Sequence, residues 1–218
     1  MNTPNTPYYS PTSDSATFVK GVFLPDTNGF LKQVDPQPFQ YTEDYKAHQS
    51  TNPSMAWLRL GWLMAQIPFE RLQSMSAVDI GSGNGTFIRE AQKVFKKAVP
   101  YDLVGESISE YELNSTHWDV VCLSDVLEHF KSIDDFWRLS FQYALISYPE
   151  DPRDGVALEH WRHYKPDEHL YILNSTAFRL WVEGHGCEVV AEGHPEDAIR
   201  TRWHKDYVNI STFLIRRP

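Results

Sequence analysis

Residues Ala77–Ala91 constrain the fold more tightly than any other stretch. Ala77-Val78-Asp79-Ile80 is a short, largely apolar run with a carboxylate near its end. It is followed by Gly81-Ser82-Gly83-Asn84-Gly85, three glycines in five residues. Glycine lets a backbone turn sharply and approach a ligand with no Cβ in the way. Phe87, Ile88, Ala91, Val94 and Phe95 then recur at helical spacing and predict a helix over Thr86–Lys97. Strand, glycine loop and helix N-terminus in that order predict a nucleotide-type site at the C-terminal edge of an open sheet. The spacing Gly81-x-Gly83-x-Gly85 is neither the dinucleotide fingerprint nor a phosphate loop with its lysine.

Strands and helices alternate from Met75 onward. A short strand is expected around Ala98–Asp102, a buried one at Trp118–Leu123, a helix over Ile133–Ala144 and a strand at Leu145–Tyr148. Glu150–Leu173 is a long connection, a feature that usually carries function in α/β domains. A helix capped by Asn174 or Ser175 leads to a strand at Cys187–Ala191, and Tyr207–Ile215 is the last strand. The pattern predicts an α/β fold with a mostly parallel central sheet, helices on both faces and an antiparallel C-terminal strand. Only Leu103–His117 separates the second strand from the next, so one strand of the alternation is short or lost. Upstream, residues 1–17 read as a disordered tail and 18–74 as an N-terminal extension, leaving 75–218 as the main domain. Within the extension, Asp26-Thr27-Asn28-Gly29 suits a hairpin turn. Asn52-Pro53 starts a helix with Met55, Leu58, Trp62, Ala65 and Gln66 on one face, ended by Pro68.

Asp79 with the glycine loop resembles motif I of the Rossmann-like S-adenosylmethionine-dependent methyltransferases, which reads roughly D-x-G-x-G-x-G. Trp118-Asp119-Val120-Val121-Cys122-Leu123-Ser124-Asp125-Val126-Leu127-Glu128-His129 resembles the fourth-strand motif of the small-molecule members, with its Val-Leu-Glu-His ending. Trp161-Arg162-His163-Tyr164-Lys165-Pro166-Asp167-Glu168-His169-Leu170 is similar to a segment after the fifth strand in metabolite- and sugar-modifying members. The resemblance implies a methyltransferase sandwich with S-adenosylmethionine as cofactor. Asp79, Gly81, Ser82, Gly83 and Gly85 would form the cofactor loop. Backbone groups of Leu123, Ser124 and Asp125 would meet the methionine part, with Val126 or Leu127 walling the pocket. Asp102, 17 residues after Gly85, is the favoured ribose acid, with Glu106 as the alternative. Tyr41 and Tyr45 are candidates to cover the cofactor.

His163 is the first candidate for general base, because its unperturbed pKa lies near neutrality. His129 and His169 are further catalytic candidates, and His169 could instead order the start of the next helix. Asp125, Glu128 and His129 would share one face of a helix and, with His160, His163 or His169, could hold a divalent ion. A plain Glu128/His129 structural pair is the favoured reading of that cluster, and no metal is expected. The absence of an Asn/Asp-Pro-Pro-Tyr/Phe motif argues against methylation of a nucleic-acid base.

Composition narrows the partners. A formal charge of −9 argues against a large nucleic-acid substrate, and Lys93, Lys96 and Lys97 are the only tight basic cluster. A small-molecule, sugar or nucleotide acceptor is expected. The alternatives are a metal-dependent enzyme acting on a nucleic acid or nucleotide, and a catalytically silent cofactor-binding subunit. The 41% apolar content contains no run long enough to span a bilayer, and Met1–Ser15 lacks the basic start and apolar run of a secretory signal. Cys122 and Cys187 read as small core residues in a reducing, cytoplasmic setting, and the Met55–Gln66 helix is read as mainly core or as the contact of a homodimer.

Overall fold

A computed structural model describes residues 21–42, 44, 51–152, 157–200 and 208–218. The tail at 1–17 and Tyr45 therefore lie outside the described residues. The centre of the molecule is a six-stranded sheet built from β3 (Ser76–Ile80), β4 (Lys97–Tyr101), β5 (His117–Ser124), β6 (Ser140–Pro149), β8 (Glu188–Gly193) and β9 (Ile210–Arg216). Its order is β4-β3-β5-β6-β9-β8. The pairs β3/β4, β3/β5 and β5/β6 are parallel, and β9 runs antiparallel between β6 and β8. The strand order reverses at β3, so the glycine loop leaves the sheet where open α/β folds bind ligands.

The period of two along each strand divides the core between the two faces. Val78, Val121, Leu123 and Phe213 pack with α5 (Ser175–Gly184) through Phe178, Trp181 and Val182. Ala77, Val120, Cys122 and Leu214 pack against α1 (Ser54–Gln66) and α3 (Thr86–Ala91). Asp79 alternates with Val78 and Ile80, so its carboxyl points to the side of α1, where it is buried. Helix α2 (Phe69–Leu72) bridges α1 to β3. No strand lies outside β4, so the expected loss of one strand is what the fold shows among the described residues. Pro100 sits in that edge strand, where a missing N–H is tolerated, and its carbonyl accepts from the Ile108 amide instead. The short helix α4 (Glu110–Ser115) then returns the chain to β5.

A second, antiparallel sheet joins β1 (Val22–Pro25), β2 (Leu31–Val34) and β7 (Tyr171–Ile172). Asp26 closes the β1–β2 turn by accepting from the Asn28 and Phe30 amides. Gln33 and Asp167 exchange hydrogen bonds of 2.9 and 2.7 Å, tying the hairpin to the long connection.

Several elements differ from the sequence expectation. The helix expected over Ile133–Ala144 is only a 3-10 turn, Ile133–Arg138, and β6 already starts at Ser140. Tyr143 and Leu145 enter one core while Ala144 and Ile146 enter the other, and ladder pairing to β5 fixes this period of two. Helix α3 ends at Ala91 rather than Lys97, because Lys97 is the first residue of β4. The lysine cluster is thus split between a turn and an edge strand. On α1 the buried residues are Ala56, Leu60 and Leu63, while Ala65 and Gln66 are exposed. The face is turned from the expected one, and Arg59 is directed toward the sheet edge. His169 and Leu170 lead into β7 rather than into a helix, and Asn174 caps α5 by accepting from the Ala177 amide at 2.8 Å. Cys122 and Cys187 are buried free thiols. No described helix is long and apolar enough to cross a membrane.

Candidate functional site

A cavity of about 1520 Å³ opens at the C-terminal edge of the sheet. One end of it is made by the glycine loop. Gly81, Gly83 and Gly85 all have positive φ, at 69°, 55° and 73°. A Cβ on Gly81 would overlap the Val126 side chain, so only glycine fits there. The Gly81 amide donates to the Tyr101 carbonyl at 2.8 Å and the Gly83 amide to Asp102 Oδ2 at 2.7 Å. Asp102 Oδ1 also accepts from the Val104 amide, which fixes this carboxylate at the cavity rim. Asn84 Oδ1 accepts from the Thr86 amide and hydroxyl at the start of α3. Burial pushes the Asp79 carboxyl up to about 7, with the Arg59 charge opposing the rise.

Asp79, Gly81, Ser82, Gly83, Asp102, Ser124, Asp125 and Tyr41 line this cavity. Glu106, by contrast, is exposed and lies off it. Gly85 lies behind the loop as the left-handed residue before α3. The Leu123 and Leu127 side chains are buried in the core, so only Leu123's backbone could meet a ligand, and Val126 forms the wall.

Asp125 follows β5 with φ 54°, an uncommon conformation for a non-glycine residue. Its carboxylate is paired with Arg200 and lies 3.7 Å from Arg59. Burial opposes its ionisation, but the two guanidinium groups prevail and hold its pKa below the usual carboxylate value. Glu196 completes the network by pairing with Arg59 Nε at 2.6 Å and Arg200 Nε at 2.8 Å, while accepting from the Ser147 hydroxyl. Sequence reading missed Arg59, Glu196 and Arg200, which lie on separate elements. The only available signal was an arginine among the apolar residues of a helix.

The other end of the cavity is assembled from distant segments. Leu170 donates its amide to the Glu128 carbonyl at 2.8 Å, and this bond brings His169 beside the 3-10 turn Leu127–His129. His129 and His169 meet edge to face with ring centroids 4.8 Å apart. His129 Nδ1 lies 2.7 Å from the Glu168 carbonyl and 2.9 Å from the Tyr41 hydroxyl. Because a carbonyl can only accept, Nδ1 carries the proton and Nε2 keeps the lone pair. His163, buried on the far side of the long connection, faces Asn209 Oδ1 through Nε2 at 2.8 Å, another partner that sequence reading missed. With that oxygen as acceptor, Nδ1 of His163 has its lone pair free.

Burial pushes the pKa of His129, His163 and His169 downward, to about 3 for His169, whose protonation the neighbouring His129 and Lys165 would further oppose. All three imidazoles are therefore neutral near pH 7. Burial raises the Tyr41 phenol, reinforced by Glu168, so it stays protonated. His160 is exposed and takes no part. Trp161 packs with Phe23, Leu31 and Ile172, and the Tyr164 hydroxyl donates to the Gly21 carbonyl, so these two aromatics anchor the loop. The helix expected to present Asp125, Glu128 and His129 together does not form. Asp125 is held by the arginines instead.

An open, mostly parallel sheet with β9 inserted antiparallel, and a glycine loop between its first parallel strand and helix, defines a Rossmann-like methyltransferase. Residues 59–192 match the family model described as a methyltransferase domain. The chain belongs to that family, and it is an S-adenosylmethionine-dependent methyltransferase. Its fold is similar to magnesium protoporphyrin IX methyltransferase from Synechocystis PCC 6803 with bound S-adenosylhomocysteine. The TM-score is 0.52 at 15% identity, covering 84% of this chain and 90% of that one. It is also similar to a methyltransferase from Aquifex aeolicus, with TM-score 0.54 at 13% identity, covering 81% and 98%. No curated protein matches the chain significantly. The residues present fit the cofactor: the glycine backbone is open to the cavity, and the Asp102 carboxylate stands at its rim.

Proposed function

We propose that the enzyme methylates an oxygen or nitrogen of a small-molecule, sugar or nucleotide acceptor. The observation that carries this reading is the continuity of one cavity from the glycine loop to His129, His163, His169 and Tyr41. When bound, S-adenosylmethionine supplies a methyl group already activated by the sulfonium, whose sulfur keeps the electron pair of the broken bond. The chain's own residues then need only align the acceptor and take its proton. Asp79 and the backbone of residues 81–83 hold the donor end, with Asp102 on the ribose and Ser124 and Asp125 beside the methionine part. Neutral His163 is the candidate base, with Asn209 orienting it through the opposite ring nitrogen. Tyr41 covers the site through His129. The chain charge of −9 favours a compact acceptor over a nucleic-acid backbone.

The test is methyl transfer from labelled S-adenosylmethionine into separate pools of metabolites, sugar nucleotides and nucleic acids. Label appearing in small molecules supports the proposal. Label confined to nucleic acid would overturn the acceptor class, and cofactor binding with no transfer to any pool would point to a silent subunit.

A further inference from the structure

Glu128 is 2% exposed, neither of its carboxylate oxygens has a hydrogen-bond partner among the described residues, and no step of the proposed transfer uses it. An unpaired buried carboxylate is costly, and protonation lowers that cost without removing it, since the neutral group is still an unpaired buried polar one. A neutral carboxyl here would still lack a partner for its O–H, because His129 Nε2 is 3.9 Å away. One donor atom each from Glu128, His129 and His169 lies within 4.8 Å of the other two. The Glu168 carbonyl fixes the His129 tautomer so that the Nε2 lone pair faces Glu128, the outer-shell arrangement that ligating histidines use. Asp125 is held by Arg200 and Arg59, so it is not the third ligand.

We propose that Glu128, His129 and His169 hold one divalent transition-metal ion with an open coordination position turned toward the acceptor half of the cavity. Two imidazoles and one carboxylate favour zinc or manganese over magnesium or calcium, which prefer all-oxygen sets. Tetrahedral zinc would need donor separations of about 3.4 Å, so the cluster has only to tighten by side-chain rotation. The site also narrows the acceptor, a consequence that rests on the methyl-transfer reading above. A hydroxyl on the open position loses its proton more readily and still has lone pairs for attack. A metal-bound amine has already given up its only pair. The acceptor atom is therefore an oxygen.

The test is titration of chelator-treated, full-length protein with Co²⁺ and Zn²⁺. One equivalent of Co²⁺ should give visible d–d absorption that Zn²⁺ abolishes. Glu128→Gln and His169→Ala should each weaken metal binding by about 100-fold, as loss of one of three ligands demands, while exposed His160→Ala should leave it unchanged. Folded wild-type protein that takes up no metal would overturn the site, as would uptake indifferent to both variants. Should a variant not fold, the wild-type cobalt protein still decides. Two paramagnetically shifted imidazole signals support the site, and their absence overturns it. Calorimetry with S-adenosylmethionine on the same samples separates the two proposals. Cofactor binding without metal binding sinks the metal site alone, and the converse sinks the methyl-transfer reading alone.

Discussion

The two ends of the cavity are built by different means. At the donor end, 9 consecutive residues, Ala77–Gly85, supply the strand, the turn and the backbone geometry, with the Asp102 and Arg89 side chains holding the loop from outside it. At the other end, the proposed acceptor end, Tyr41, His129, the His163–His169 stretch and Asn209 come from four separate segments, joined by single bonds such as Leu170 to Glu128. A site made of backbone tolerates little change in any one residue, yet it can be read locally. A site made of converging side chains depends on loop closure over long sequence separations, and can change its chemistry without disturbing the fold.

That contrast predicts the largest effect at Gly81. Gly81→Ala adds a methyl that overlaps Val126 and sits on a backbone at φ 69°. We expect a cost of about 2–5 kcal/mol, summed from overpacking and left-handed strain, read as a lower melting temperature and cofactor affinity reduced more than 100-fold. A variant that binds as wild type would show that the loop is not backbone-limited.

Asp79 comes next. Its carboxyl is raised from 3.8 to about 7 by burial, so the folded state holds a proton that the unfolded state has already released. Stability contributed by this group is therefore present below pH 4 and falls as pH rises to about 7, by at most about 4 kcal/mol. Asp79→Asn should flatten that part of the stability profile measured by denaturant titration. Cofactor carries positive charge into the same cavity and should draw the proton off. Calorimetry in buffers of differing ionisation heat should then register proton release on binding to wild type near pH 6.5, and none for the variant.

Asp102→Asn should weaken cofactor binding by about 10- to 100-fold, the value of charged hydrogen bonds to two amides and a ribose. The same substitution at exposed Glu106 should do nothing measurable by calorimetry.

How far each end could be read from sequence follows the same division. The strand at Val78, the turn and the lost strand beyond β4 are all local features, and the structure has them where the pattern indicates, with Asp102 at the cavity rim beside them. A long-range ladder overrides local pattern at β6: Phe141 and Tyr143 fall within the helix expected over Ile133–Ala144 but are committed to a strand by pairing with β5, and Tyr143 also with β9. The buried face of α1 was misjudged for a related reason, since Arg59 turns toward Glu196, 137 residues away. Nothing in the sequence ties Asn209 to His163 or Glu196 to Arg59. Charge pairs between separate elements leave no periodic trace, and no motif records them.

The smallest expected effect is the sharpest probe of the division. Asn209→Asp places a carboxylate 2.8 Å from His163 Nε2 in place of a neutral amide oxygen. A negative partner favours the imidazolium, so the His163 pKa should rise from its burial-depressed value. Arg200 lies near enough to oppose His163 ionisation and will temper the rise. A base must be neutral to accept a proton, so activity limited by His163 should fail at a correspondingly higher pH, and an NMR titration of the His163 ring should move with it. Among the described residues the Asn209 hydrogen bonds run to His163, Asp197 and Glu150 and not to the glycine loop, so S-adenosylmethionine affinity should stay within about twofold, less than one ordinary hydrogen bond. A larger loss of cofactor affinity would mean that the two ends are coupled through the Arg200–Asp125 pair. The acceptor end would then be part of the donor site rather than an independent attachment to it.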